Sequence, residues 1–188
     1  MLKNSKGFTM VELLASLVIL GLLMLVAVPN VTGILNQNRI TTYVEDAKKL
    51  ATTAEYKFRG DTTLVKPTVE GQCIAASLKY LDNSEFENPP YDGEYMENES
   101  FIIMKKVSNG YEYYVQLIER MPQSRGYHGV TLVNVNKLYK DDYNQYVKNF
   151  TIANVPVLES DSSAAALQTY SSSVASCGSI IRVYAVAG

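Results

Sequence analysis

Hydrophobic and polar positions divide the chain near residue 30. From Leu13 to Val28 the run LLASLVILGLLMLVAV carries no charge. With the residues before it, it reaches roughly the 20 apolar residues needed to span a bilayer. Beyond Pro29 the pattern changes, and apolar residues recur at Val31, Ile34, Leu35, Ile40, Val44, Ala47, Ala51, Ala54 and Phe58. That is largely the three-and-four spacing of one helix face. Asn36, Gln37, Arg39, Glu45, Lys48, Lys49 and Glu55 fill the other positions, and Arg59-Gly60-Asp61 supplies a stop. The two patterns predict one helix of about 50 residues, half in lipid and half packed on a domain.

After the helix, residues 61–69 read as a loop with Pro67, and the spacing from Glu70 to Leu81 predicts a short second helix. Asn83 to Gly93, with Pro89-Pro90-Tyr91-Asp92-Gly93, is turn chemistry and predicts an exposed connection. The strongest β signal is the pair of runs Ser100–Val107 and Tyr111–Ile118 around Ser108-Asn109-Gly110, a hairpin pattern. Two strands alone are too few for stability, so they must pack on the amphipathic half of the first helix. Residues 121–129 read as loop, Val130–Val135 as a short strand, and Asn136–Val147 as a polar helix with Leu138, Tyr139, Tyr143, Tyr146 and Val147 inward. Thr151–Leu158 and Gly178–Val186 predict strands, the latter closing the sheet, and the Ser- and Ala-rich stretch Glu159–Ser176 a surface loop or short helix.

Charge fixes an orientation. Lys3 and Lys6 precede the apolar run and the next basic residue is Arg39, so the positive-inside bias keeps residues 1–6 cytoplasmic and sends the rest outward. A net charge of −2, with basic pairs only at Lys48-Lys49 and Lys105-Lys106, argues against nucleic acid as a partner. One residue disturbs the picture. Glu12 sits at the head of the apolar run, where a carboxylate at bilayer depth costs about 2.5–3.5 kcal/mol and asks for a partner. An ordinary secretory signal is the competing reading of a basic and then apolar N-terminus, but Ala27-Val28-Pro29-Asn30 lacks a small-x-small cleavage pattern.

The residues Lys6-Gly7-Phe8-Thr9-Met10-Val11-Glu12-Leu13-Leu14 resemble the class III leader and N-terminus of type IV pilins and related pseudopilins. The match combines a short basic leader, a glycine before the cut, Phe after it, a Glu at the fifth mature position and an apolar helix. It covers about residues 3–30. The resemblance implies cleavage of the Gly7–Phe8 bond by a prepilin peptidase on the cytoplasmic side, and methylation of the Phe8 amine. It also implies an α+β type IV pilin fold, with the long N-terminal helix packed on an antiparallel sheet domain. The expected organisation is a leader at 1–7, a transmembrane and fibre-core helix at 8–29, its amphipathic continuation at 30–60 and a globular pilin domain at 61–188.

The same residues suggest how assembly works. Cutting before Phe8 creates a cationic amine, which a neighbouring subunit can place against Glu12. At about 4 Å and an effective dielectric near 20 that pair attracts by roughly 4 kcal/mol, comparable with the insertion penalty. Processing is thereby coupled to polymerisation, with Phe8 and Glu12 setting the stagger. The bland alternative is a Glu12 that snorkels to the cytoplasmic interface. Pro29 inside a helical pattern predicts a kink before it, and Gly21 is a second soft point. In assembled pili the corresponding segment loses helical structure, so the resemblance makes Gly21 and Pro29 sites of flexibility. Otherwise both are tolerated breakers in a membrane helix.

Little else carries chemistry. Cys73 and Cys177 are the only cysteines, and export permits a bridge closing a loop of about a hundred residues. A buried free thiol at Cys73 is the other reading. His128 is the sole histidine and follows a loop glycine, which predicts a surface residue and no Cys/His metal site or Ser-His-Asp constellation. Asp141-Asp142 and Glu159/Asp161 have no calcium-loop spacing. No metal, cofactor or enzymatic activity is expected. Fourteen Tyr and no Trp suit half-buried strands and subunit interfaces.

The expected function is that of a pilus subunit, present as a single-pass N-in, C-out precursor in the cytoplasmic membrane and then in an extracellular fibre. Such fibres serve adhesion, twitching motility, biofilm formation or DNA uptake. The implied partners are the prepilin peptidase, identical or related subunits and a pilus assembly platform. A minor pilin or a type II secretion pseudopilin is the alternative within this architecture. A membrane-anchored extracellular binding protein is the alternative of another class.

Overall fold

The structure is a computed structural model and describes residues 7–81, 86, 88–151, 177 and 179–184, without the side chains of 27–30 and 179–184. It consists of two compact units, residues 1–38 and 39–188. The helix α1, Met10–Gly60, enters both. In the first unit α1 is continuous through Gly21 and Pro29, and its apolar residues stand open: Leu13, Leu17, Leu20 and Met24 are at least half exposed. So are Val31 and Ile34.

In the second unit α1 buries Tyr43, Val44, Ala47, Leu50, Ala51, Ala54 and Phe58, a stripe at helical spacing. The sheet beneath it comprises β1 (Gln72–Ser77), β2 (Glu94–Tyr95), β3 (Phe101–Val107), β4 (Gly110–Arg120), β5 (Tyr127–Asn134), β6 (Val147–Phe150) and β7 (Ser179–Tyr184). Its order is β6-β5-β4-β3-β1-β7, with β2 pairing β4 beyond the end of β3. The fold is therefore α+β, a long helix on an antiparallel sheet, with one exception to the expectation. β7 runs parallel to β1. A parallel neighbour needs a long crossover, and here the chain leaves β6 at Phe150 and returns at Ser179.

The sheet separates two apolar layers. Ile74, Ala76, Ile102, Met104, Val115, Leu117, Val130 and Val133 join the α1 stripe. Cys73, Ala75, Phe101, Ile103, Tyr114, Leu132 and Cys177 form the opposite layer. This explains one incorrect expectation. Glu70–Leu81 is not a helix but strand β1 followed by the single turn α2 (Leu78–Leu81). Because β1 is buried on both faces, its sequence lacks the alternation of a half-exposed strand and reads as a plain apolar run.

Cys73 and Cys177 form a disulfide with a Cα–Cα distance of 5.9 Å. The bridge lies beside the Gln72–Ser179 and Cys73–Ile180 pairs at the start of the parallel ladder, so it anchors the edge strand that no short turn holds. The hairpin is present, but Val107 pairs with Gly110 and the two-residue loop is Ser108-Asn109. Gly110, at φ +140°, opens β4 in a conformation that side chains disfavour.

Three further expectations change. Asn136–Val147 is not a polar helix but two 3₁₀ segments, Val135–Tyr139 and Tyr143–Tyr146, followed by β6. Leu138 is buried as expected, whereas Tyr139 is 65% exposed. Residues 121–129 contain a 3₁₀ segment at Pro122–Ser124, and β5 begins at Tyr127. His128 is therefore a strand residue rather than a surface loop residue, its ring centroid 5.0 Å from that of Tyr43. The elements expected within residues 152–176 lie outside the described residues.

The connection before β2 is also less exposed than its turn chemistry predicts. Phe86 and Pro89 are buried. Glu119 on β4, with no exposed surface, accepts hydrogen bonds from Tyr43 Oη, from Gly93 N at 2.8 Å and from Tyr91 N at 3.2 Å. One buried carboxylate thus holds the connection to both α1 and the sheet. Gly93 is required for this approach. A Cβ there would lie 2.2 Å from the Arg120 carbonyl oxygen and 2.6 Å from Glu119 Oε1.

Candidate functional site: the head of the N-terminal helix

The site is built by the way α1 begins. The first turn of any helix leaves backbone N–H groups without partners. Here Thr9 is the N-cap and Glu12 the third helical residue. The Thr9 hydroxyl oxygen accepts the Glu12 N–H at 3.3 Å, and Glu12 Oε2 accepts the Thr9 N–H at 2.8 Å and the Thr9 hydroxyl at 2.7 Å. The Leu13 N–H reaches the Thr9 carbonyl at 3.2 Å. This is a reciprocal capping box.

The carboxylate that seemed without a partner therefore has one within its own chain. It also lies in the first turn, where the helix dipole favours negative charge. Sequence reasoning passed over Thr9, although Thr-x-x-Glu immediately before an apolar run is itself a capping-box signature.

The remaining expected residues are placed simply. Phe8 precedes the cap and is 82% exposed, so the peptide bond between Gly7 and Phe8 lies outside the helix. Gly7 has open space around it. Thr9 and Glu12 are brought together by the cap, while Gly21 lies further along the same apolar stretch, also with open space where a Cβ would stand. Apart from Glu12, residues 10–26 present uncharged surface. Cys73 and Cys177 belong to the sheet and form no part of this site. Among the described residues no group of three or more His, Cys, Asp or Glu is placed to hold a metal.

Residues 2–28 match the family described as the prokaryotic N-terminal methylation motif. That motif is the class III prepilin leader of type IV pilins, and it covers the capping box and the apolar span. The chain thus carries a prepilin leader of the pilin and pseudopilin type, which indicates a structural protein whose partners include a prepilin peptidase. No curated protein and no solved structure matches the chain.

Proposed function

We propose that this chain is a structural subunit of a type IV pilus, cut between Gly7 and Phe8, methylated at Phe8 and polymerised through residues 8–28. The observation that carries this reading is the Thr9–Glu12 cap at the head of an exposed apolar helix, within the matched leader. Before cleavage the cap supplies Glu12 with hydrogen-bond donors, which lowers the cost of holding a carboxylate at the membrane. After cleavage the Phe8 amine of a neighbouring subunit adds the opposite charge. The ammonium adds the attraction of an opposite charge to the charge-assisted hydrogen bonds that the cap already gives the carboxylate, so assembly draws on the same carboxylate that the precursor keeps satisfied.

In this account residues 8–28 bundle in the fibre core and residues 39–188 face outward. Gly21 and Pro29 allow the intervening helix to loosen on packing, and the precursor sits N-in, C-out until it is extracted into the fibre. Pro29, helical here, lacks the N–H that its turn would otherwise use. Adhesion, motility, biofilm formation or DNA uptake would be the use of such a fibre. The test is Glu12→Ala: membrane insertion is unchanged and fibres are lost. Normal fibres from that variant contradict the pairing mechanism.

A further inference from the structure

A cavity of about 390 Å³ opens between the C-terminal end of α1 and the start of β4, bounded by Glu55, Arg59, Lys66, Asn109, Tyr111 and Tyr113. Its volume falls within the range of small-molecule sites, roughly 300–1,000 Å³. Tyr111 links two lysines across it. Its hydroxyl donates to the Pro67 carbonyl at 3.2 Å, next to Lys66, and its ring centroid lies 5.2 Å from Lys106 Nζ.

Both lysines are half-buried and held by main-chain carbonyls. Lys106 Nζ donates to the Val107 carbonyl at 3.0 Å and to that of Gly110 at 3.4 Å, and Lys66 Nζ to the Arg59 carbonyl at 3.5 Å. Among the described residues neither ammonium touches a carboxylate. The other cations of this flank are matched. Arg59 pairs with Glu55, Lys48 with Glu45 at 2.8 Å, and Lys57 faces Asp61. Lys105 and Glu112 oppose each other across the β3–β4 pair, on the sheet face away from Tyr111. Glu70 stands exposed in the turn before β1. Two ammonium groups are thus left over beside the cavity.

That surplus selects the ligand class. A carboxylate is matched best by the planar fork of an arginine, and the one fork here is engaged by Glu55. Lysine ammoniums are compact point charges, and two of them from separate elements suit an anion that accepts on several sides. A phosphomonoester has three terminal oxygens and about two negative charges at neutral pH, one for each lysine. The carbonyls and the Tyr111 ring hold the Lys106 stem before any ligand arrives, which lowers the ordering cost of binding. We propose that this cavity binds a phosphomonoester on a hydroxylated carrier, with the phosphoryl oxygens on Lys66 and Lys106 and the carrier against Tyr111 and Asn109.

The cavity lies within residues 39–188, so the proposal does not depend on the assembly mechanism. The test is an amide-resonance titration of the full chain in dodecyl maltoside micelles, whose headgroups carry no phosphate. Glycerol 3-phosphate and glucose 6-phosphate probe a soluble ester, and phosphatidate doped into the micelle probes a lipid headgroup. Glycerol, glucuronate and oligo-dT stand for the carrier alone, a carboxylate and a phosphodiester polymer. At least one phosphomonoester is expected to shift Lys66, Asn109 and Tyr111 saturably, and shifts from phosphatidate alone assign the lipid source. Binding weakens as the pH falls through about 6, where the ester loses its second charge. Lys66→Gln/Lys106→Gln weakens it by about tenfold or more, the loss of charge-assisted contacts. Lys66→Gln alone gives a smaller loss and decides the matter if the double variant misfolds. Absence of binding by every phosphomonoester, undiminished binding in the variants, or binding of glycerol, glucuronate or oligo-dT at least as tight overturns the proposal.

Discussion

The Thr9 N–H and hydroxyl both donate to one oxygen of Glu12, at 2.8 and 2.7 Å, so the carboxylate expected to bridge subunits is already engaged within its own chain. Thr9→Val keeps the shape and removes the hydroxyl. Loss of an N-cap hydroxyl costs about 1 kcal/mol of helix stability. Hydrogen exchange at residues 9–13 in micelles is expected to quicken in the variant, while exchange in β3 and β4 stays as it was. An unchanged first turn would show that the cap contributes nothing.

Gly93→Ala drives a methyl group into the Arg120 carbonyl and the Glu119 carboxylate. The backbone must retreat and give up its hydrogen bond to a fully buried acceptor, for an expected loss of about 1–3 kcal/mol. Chemical denaturation of the oxidised chain reads this directly. Gly60→Ala, with nothing within 4 Å of the added atom, is the control.

His128 packs against Tyr43 and Tyr91, and its buried Nδ1 has no hydrogen-bond partner. Burial holds its pKa below the ordinary 6.5, so the folded chain binds this proton less readily than the unfolded chain. Its contribution to stability is complete above 6.5 and is lost as the pH falls from there through the folded value. Glu119 has the opposite sign. Burial raises its pKa above 4.5, and its ionisation weakens the fold as the pH rises through the raised value. The groups around this pair are Arg39, Tyr43 and Asp46 from α1, Tyr91 and Asp92 from the connection, and Tyr95 from β2. Thermal midpoints measured against pH are expected to fall below 6.5 in the native chain. The slope is expected to flatten in His128→Gln, and an unaltered slope would place the titration elsewhere.

Reduction of the Cys73–Cys177 bridge, or Cys73→Ser/Cys177→Ser, releases a loop of 104 residues in sequence separation. The expected loss is about 2–5 kcal/mol, read as a lower denaturation midpoint. Because the bridge lies at the head of the β1–β7 ladder, β7 amides are expected to exchange first. Equal loss of protection across the whole sheet would contradict that assignment.

Helix α1, the hairpin and the last strand were legible because each carries a local signal: a long period near 3.6, a turn between alternating runs, and a β-branched stretch. The N-terminal leader was legible as a motif, whereas the Thr9 cap rests on a generic Thr-x-x-Glu spacing within it. β1 was misread because burial on both faces erases the alternation that marks a strand. The predicted helix over Asn136–Val147 is interrupted at Lys140, whose backbone is extended at φ −97° and ψ 157°, leaving two 3₁₀ segments with Leu138 in the core. Glu119 carried no sequence signal at all. Its burial follows from the close approach at Gly93, a tertiary event with no local pattern.

We propose that the chain becomes competent to assemble when Phe8 becomes its N-terminus. Intact-mass and N-terminal peptide analysis of the protein recovered from its native host tests this most directly. The expected product is a chain beginning at N-methylated Phe8. A leader retained through Gly7, or an N-terminus at any other residue, contradicts it.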